Sequence, residues 1–336
     1  VSGAVAVALA KNTIDGWVDA HILGSTVTGA DVIVRAVEDS TIHAFTIAAA
    51  ISVAIGGAAI SVSGAGALAE NEITSTTTAY AQDSVLGTVA SSVVGVEVGA
   101  STSARIRAIV GGVAISASGG VISGSAAIGA AIARNTLGQS ENKHEILATL
   151  INSTINASGP VRVSATNTAA IDAIVVAGAM AVTAALFGGL AGAGAGARSL
   201  NEIATTMAAE IHSTGPLGIT AGSVDVLAVN AAIIAAKTHG IAVAMAITPS
   251  GLALAVAVSM STNTITSSTQ ALITAGRVAA GGDVTVAASN TSTISAHQVA
   301  VGLVAGVAGG AAADASAVNT ITPTVTVSVT PTTIPT

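Results

Sequence analysis

Three patterns of apolar and polar positions recur in fixed order along this chain. The first is a V-x-V alternation: Val32-Ile33-Val34, Val96-Glu97-Val98, Val161-Arg162-Val163, Val224-Asp225-Val226 and Val284-Thr285-Val286. The outer valines are constant and the middle residue is free. A period of two with a free middle predicts half-buried strands whose middle side chain faces solvent. The second pattern is I-x-A, with a polar middle in most copies: Ile42-His43-Ala44, Ile106-Arg107-Ala108, Ile171-Asp172-Ala173, Ile233-Ile234-Ala235 and Ile294-Ser295-Ala296. The third follows it, a pair of apolar runs broken by Gly and ending on Asn, as in Ile42 to Asn71 around Gly56-Gly57. Small residues alternate there with β-branched ones, which predicts strands apolar on both faces.

The Asn that closes each run sets a period. It stands at Asn12, Asn71, Asn135, Asn201, Asn263 and Asn319, at spacings of 59, 64, 66, 62 and 56 residues. Regular self-similarity with small length changes predicts a repeat array, each unit pairing with its neighbours. The expected fold is therefore all-β: a parallel β-solenoid, right-handed by the crossover rule, of five repeats of about 60 residues. The repeats start near Asn12, Asn71, Asn135, Asn201 and Asn263 and form a single domain over 1–321. An Ala lies eight residues after the Asn at Ala20, Ala79, Ala209 and Ala271, but thirteen after it at Ala148. The polar stretch Leu137–Glu145 reads as a five-residue surface insertion.

The expected role of the repeated Asn residues is a stacked amide ladder at a turn. Gly64, Gly66, Gly192, Gly194 and Gly196 are expected where two sheets approach closely, with the opposite face of each sheet filling a thicker core. The tail 322–336, TPTVTVSVTPTTIPT, reads either as a stiff linker or as a strand donated to another subunit.

Composition narrows the chemistry. The chain has 336 residues, 51% hydrophobic but 8% charged and 1% aromatic, with a net charge of −7 and no Cys. Its ten Lys and Arg are scattered, so a nucleic-acid surface is not expected. Without Cys there are no disulfides and no thiol chemistry. The charge-free runs 40–69 and 173–197 are long enough to cross a bilayer. Mid-run Gly, β-branched alternation and the lack of an aromatic belt favour strands over membrane helices.

No enzyme signature is present. The six histidines fall at different repeat positions, and His43 shares an exposed slot with Arg107, Asp172 and Ser295. Asp15 and Asp19 lack a calcium nonapeptide around them, and Gly192–Ala197 lacks the Lys-Ser/Thr of a phosphate loop. Glycosylation triplets at Asn152, Asn156 and Asn290 are short enough to arise by chance. No catalytic residue, metal ligand or cofactor is expected.

With the repeat laid out, the chain resembles the repeat regions of very large bacterial surface proteins of the filamentous-adhesin type. The matching residues are Asn263-Thr264-Ile265, Asp283-Val284-Thr285-Val286-Ala287 and Gly309-Gly310, and the resemblance covers Val1 to about Ile321. It implies a β-solenoid and an extracellular or cell-surface setting, without specifying a ligand. The chain begins at Val1 inside a repeat, which reads as a processed product or a fragment. The expected function is a structural subunit of an extracellular fibre or sheath. Its partner would be itself, joined head to tail through Val1, Val5, Val7 and Leu9 at one end and Val325, Val327 and Val329 at the other. The alternatives are a stalk segment of a surface adhesin and a multi-span membrane protein.

Overall fold

The computed structural model describes residues 1–139 and 144–333, and no helix occurs among them. The chain is all-β, and every strand pairing is parallel. Each strand pairs with chain roughly one Asn-to-Asn interval away. Ser2–Leu23 pairs with Ser61 to Gln82, an offset of 59, and the strand from Thr41 pairs with that from Arg105, an offset of 64. Two sheets result. The V-x-V strands Val32–Glu38, Val96–Thr102, Pro160–Asn167, Ser223–Asn230 and Val284–Asn290 form one of five strands, and the remaining strands form the other.

The V-x-V alternation accounts directly for the first sheet. The outer valines from Val32 to Val226 are buried, whereas Ile33 is exposed. Glu97, Arg162 and Asp225 stand side by side on its outer face. Arg35 meets Glu97 at 2.6 Å and Arg162 meets Asp225 at 3.6 Å. The inner valines pack on Ile146, Leu150, Met207, Ile211 and Ile273 from the segments that follow each Asn. This is a core of ordinary side-chain size.

The paired apolar runs build something different. In Thr41–Gln82 the inward positions on either side of Gly56-Gly57 are Ala48, Ala50, Ser52 and Ala54, then Ala59, Ser61, Ser63, Ala65 and Ala67. Ser61 donates to Ser52 across the gap at 2.9 Å. Two arms therefore face each other over a thin layer of Ala, Ser and Gly, which continues through the equivalent strands as mainly Ala, with Thr183 and Thr238 and the larger Val110 and Val175 near the start of the first arm. The larger side chains are forced outward: Phe45, Ile47, Ile51, Val53 and Ile55 are all more than half exposed. The expectation of a thicker core on that side is thus corrected.

The glycine expectation is corrected too. A Cβ at Gly64, Gly66, Gly192, Gly194 or Gly196 would meet nothing within 4 Å, so all five lie on the open outer face. The close approaches occur at other glycines. A Cβ at Gly112 would fall on the Ala130 carbonyl across the thin layer, and one at Gly240 would sit 2.5 Å from the Val258 carbonyl. Ala alternates with Gly in these runs, and it is Ala that faces inward.

One register also differs from the sequence pattern. Ile171 pairs with Ile234, and Ile234 with Ile294. The fourth copy is therefore Ile234-Ala235-Ala236, not Ile233-Ile234-Ala235. The one-residue shift puts Ile233 outside, 47% exposed, and Ile234 in the core.

The insertion is absorbed at one corner. Ile73 pairs with Leu137, an offset of 64, and Thr76 with Glu145, an offset of 69, so five residues enter between them. Gly138 turns the chain there with φ +67°, and 140–143 lie outside the described residues. Beyond it Ala148 returns to the column of Ala79 and Ala209. Another corner uses Gly24, Asp83 and Asn152 in succession, all with positive φ, a conformation that Gly, Asp and Asn tolerate best.

The segment from Thr322 continues the stack. It pairs with the strand from Thr266, and Thr269, Ala271 and Ile273 stand beside Val325, Val327 and Val329. Pro323 is tolerated because among the described residues this strand is paired on one side only. Residues 334–336 lie outside the described part.

Candidate functional site

Two buried polar seams run through the stack. In the first, each Asn donates from Nδ2 to Oδ1 of the next: Asn12 to Asn71, Asn71 to Asn135 and Asn135 to Asn201, each at 2.8 Å, then Asn201 to Asn263 at 2.7 Å and Asn263 to Asn319 at 2.8 Å. The four central residues are buried. Each amide so placed both donates and accepts, which offsets the cost of burying it. The seam lies beside Ile42, Ile73, Ile106, Leu137, Ile171 and Ile203, at the junction of the thin layer and the wider core.

The second seam follows the last residue of the V-x-V strands: Glu38, Thr102, Asn167, Asn230 and Asn290. Asn167 donates to Asn230 at 2.8 Å. Opposite Glu38 and Thr102 stand Ser75 and His144. The His144 ring is fully buried, with Nδ1 2.8 Å from Ser75 Oγ and Nε2 3.0 Å from Thr102 Oγ1. Nε2 also lies 3.3 Å from Glu38 Oε2, to which Thr102 donates at 2.6 Å. One protonation pattern satisfies all of these contacts. His144 carries its proton on Nε2 and gives it to Thr102 and Glu38, Thr102 gives its own to Glu38, and Ser75 donates to Nδ1. Burial pushes the His144 pKa down, and the nearby Glu38 carboxylate opposes that push only in part. Among the described residues Glu38 Oε1 has no hydrogen-bond partner.

Ser75, His144 and Glu38 stand in the order of a nucleophile, a base and an acid, but the arrangement cannot act as one. All three are buried, and a hydroxyl only 3% exposed gives no approach to a substrate carbonyl. The cluster pins together the strands that carry its four members. Sequence reasoning missed it because His144 directly follows the insertion. Subtracting the five inserted residues puts His144 in the slot of Ser75, Thr205 and Ser267, all inward-facing polar residues.

The outer face holds the chain's single Trp and single Tyr together. Trp17, Tyr80, Asp15, Asp19, Thr76 and Glu145 line one shallow groove. His21 stacks on Tyr80 at 5.0 Å and pairs with Asp19 at 2.8 Å. Among the described residues no three of His, Cys, Asp and Glu gather as metal ligands.

Val1, Val5, Val7 and Leu9 are exposed. Ser2–Leu23 turns Ala4, Ala6, Ala8 and Ala10 inward, so Val5, Val7 and Leu9 project from the outer face and not from the strand edge. Val325, Val327 and Val329 occupy inward positions and are exposed, since among the described residues their strand has a neighbour on one side only. None of the described segments is a helix long and apolar enough to cross a membrane. Comparison with protein-family models, curated proteins and solved structures finds no match for this chain.

Proposed function

We propose that the chain is a β-solenoid of five repeats of about 60 residues, and that it serves as a structural segment of an extracellular fibre or sheath. The observation that carries this reading is the unbroken stacking of equivalent residues. Asn lies on Asn, the V-x-V valines lie on one another, and each strand extends the one before it in parallel register. Such a stack extends by adding layers of the same kind, whether from the same chain or from a second copy. Among the described residues Ser2–Leu23 and Ala308–Thr333 are each paired on one side only, with half-covered core residues beside them. Bare edges of this kind template association. The polar seams are structural on this reading, and no catalytic site is assigned.

The test is to purify the chain alone and follow assembly by electron microscopy and fibre diffraction. The expected result is filaments of uniform width with a meridional reflection near 4.8 Å, the parallel strand spacing. Removing Val1–Ala10 should shorten or abolish them. A chain that stays monomeric at high concentration favours the stalk reading, in which the segment only spaces a domain carried elsewhere.

A further inference from the structure

The outer face of the second arm is patterned in height. Leu254, Val256 and Val258 form a ridge, with Leu254 and Val256 52% and 50% exposed. In register beside them lie Gly192, Gly194 and Gly196, whose missing side chains open onto empty space. Beyond the glycine strand stand Ala126, Ile128 and Ala130, and beyond the ridge stand Gly310, Ala312 and Asp314. A groove therefore lies on each side of the ridge, and Ile128 rises past the glycines.

This pattern is complementary to itself. A twofold axis parallel to the strands, above the seam between ridge and groove, sets the strands of two copies face to face with unchanged direction. It places Val256 of one copy over Gly194 of the other, Leu254 over Gly192, and Ile128 over Ala312. In these three ridge rows each tall side chain meets a small one, as packed sheet faces require; in the rows on either side Leu252 meets Leu190 and Met260 meets the stem of Arg198, so the face ends in contacts between larger side chains. The patch carries two charges, Arg198 and Asp314, of opposite sign. Among the described residues neither forms an ion pair within the chain. The same axis brings Arg198 of each copy diagonally beside Asp314 of the other. Four strands about 4.8 Å apart and ten residues of about 3.3 Å each cover roughly 19 by 33 Å, or about 1,200–1,300 Å² over both copies. That clears the roughly 1,000 Å² expected of a specific interface. A lipid surface would cover any apolar face and needs no matching of heights or charges.

We propose that this face docks isologously on a second copy of the chain, side by side. The contact is lateral, so it is separate from any stacking through the strand edges.

The test uses cross-linking, because the chain has no native cysteine. Val256→Cys and Gly194→Cys are prepared separately and oxidised alone and mixed. The expected result is a covalent pair in the mixture at least ten-fold more abundant than in either variant alone. Arg198→Asp should weaken pairing about ten-fold or more in sedimentation velocity, and Arg198→Asp with Asp314→Arg should restore it. Gly194→Lys should abolish pairing while leaving far-UV circular dichroism and melting unchanged, since its side chain enters open space. Equal cross-linking in all three samples overturns the proposal. So does a parent that stays unpaired yet binds phosphatidylcholine vesicles, or a Gly194→Lys variant that pairs as before. Loss of end-to-end filaments with cross-linking intact would count against edge stacking and leave the lateral contact standing.

Discussion

Replacing Asn135 by Ala tests the amide seam at a fully buried point. Asn135 is fully buried, donates to Asn201 at 2.8 Å and accepts from Asn71 at 2.8 Å. The substitution removes two hydrogen bonds, each worth about 1 kcal/mol net, and strands an N–H on Asn71 and a carbonyl on Asn201. A buried unsatisfied group costs about 1–3 kcal/mol, and these costs overlap with the lost bonds, so the expected loss is about 2–4 kcal/mol. Asn12→Ala breaks a single bond at a half-covered position, where water replaces the partner, and should cost about 1 kcal/mol or less. An unfolding entropy of about 2.1 cal/mol/K per residue gives about 0.7 kcal/mol/K for the whole chain, so Asn135→Ala should lower Tm by roughly 3–6 °C if unfolding is cooperative throughout. The assay is urea unfolding of both variants and the parent, with m compared to confirm that the transition is unchanged in kind. Equal costs for Asn135→Ala and Asn12→Ala would refute the reasoning, since the argument rests on burial and two-sided pairing.

Other substitutions probe the thin layer, the buried histidine and the charge row. Gly112→Ala should destabilise by more than about 2 kcal/mol, because its Cβ would fall on the Ala130 carbonyl, whereas Gly64→Ala should be within about 0.5 kcal/mol of the parent; thermal melts of the two compare them directly. His144 is less readily protonated in the fold than in the unfolded chain, where it titrates near 6.5. Its contribution to stability is therefore complete above about pH 6.5 and is lost as pH falls below that toward the depressed folded value. His144→Thr, the residue type of Thr205 in the same column, should flatten urea stability between pH 7 and 5; an unchanged slope would assign the pH dependence elsewhere. Arg162→Glu faces Asp225 and Glu97 on an exposed surface and should cost only about 0–1 kcal/mol, with the loss shrinking in 1 M salt.

The sheet directions, the V-x-V faces and the Asn column were legible in the sequence because each rests on a period of two or on a residue that recurs in one slot, but the Asn residues stand within continuous strands such as Thr41–Gln82 and Ala170–Ala221 and not at the turn expected of them. Inside and outside were not legible in the apolar runs. Neither face of 42–69 carries Asp, Glu, Lys or Arg, so hydropathy ranks Ile and Val as core, whereas the narrow gap between the arms is filled mainly by Ala, with Ser, Thr and Gly and a few Val such as Val110 and Val175. Ile233 and Ile234 are adjacent and alike, so only pairing with Ile171 and Ile294 tells which is inward. The environment of His144 was hidden by the five residues ahead of it, which break the count from Asn135.

The corner at Gly138 has a consequence beyond this one chain. Five extra residues leave the strand before it and the strand after it in register with both neighbours. Length at this corner is uncoupled from order in the stack, and each doubling of a loop adds only about 0.6 kcal/mol of closure entropy. The corner can therefore accept foreign peptide. A sequence grafted between Gly138 and His144 would be displayed once per chain on an otherwise weakly charged surface, which makes this fold a candidate scaffold for arrayed epitopes or binding loops.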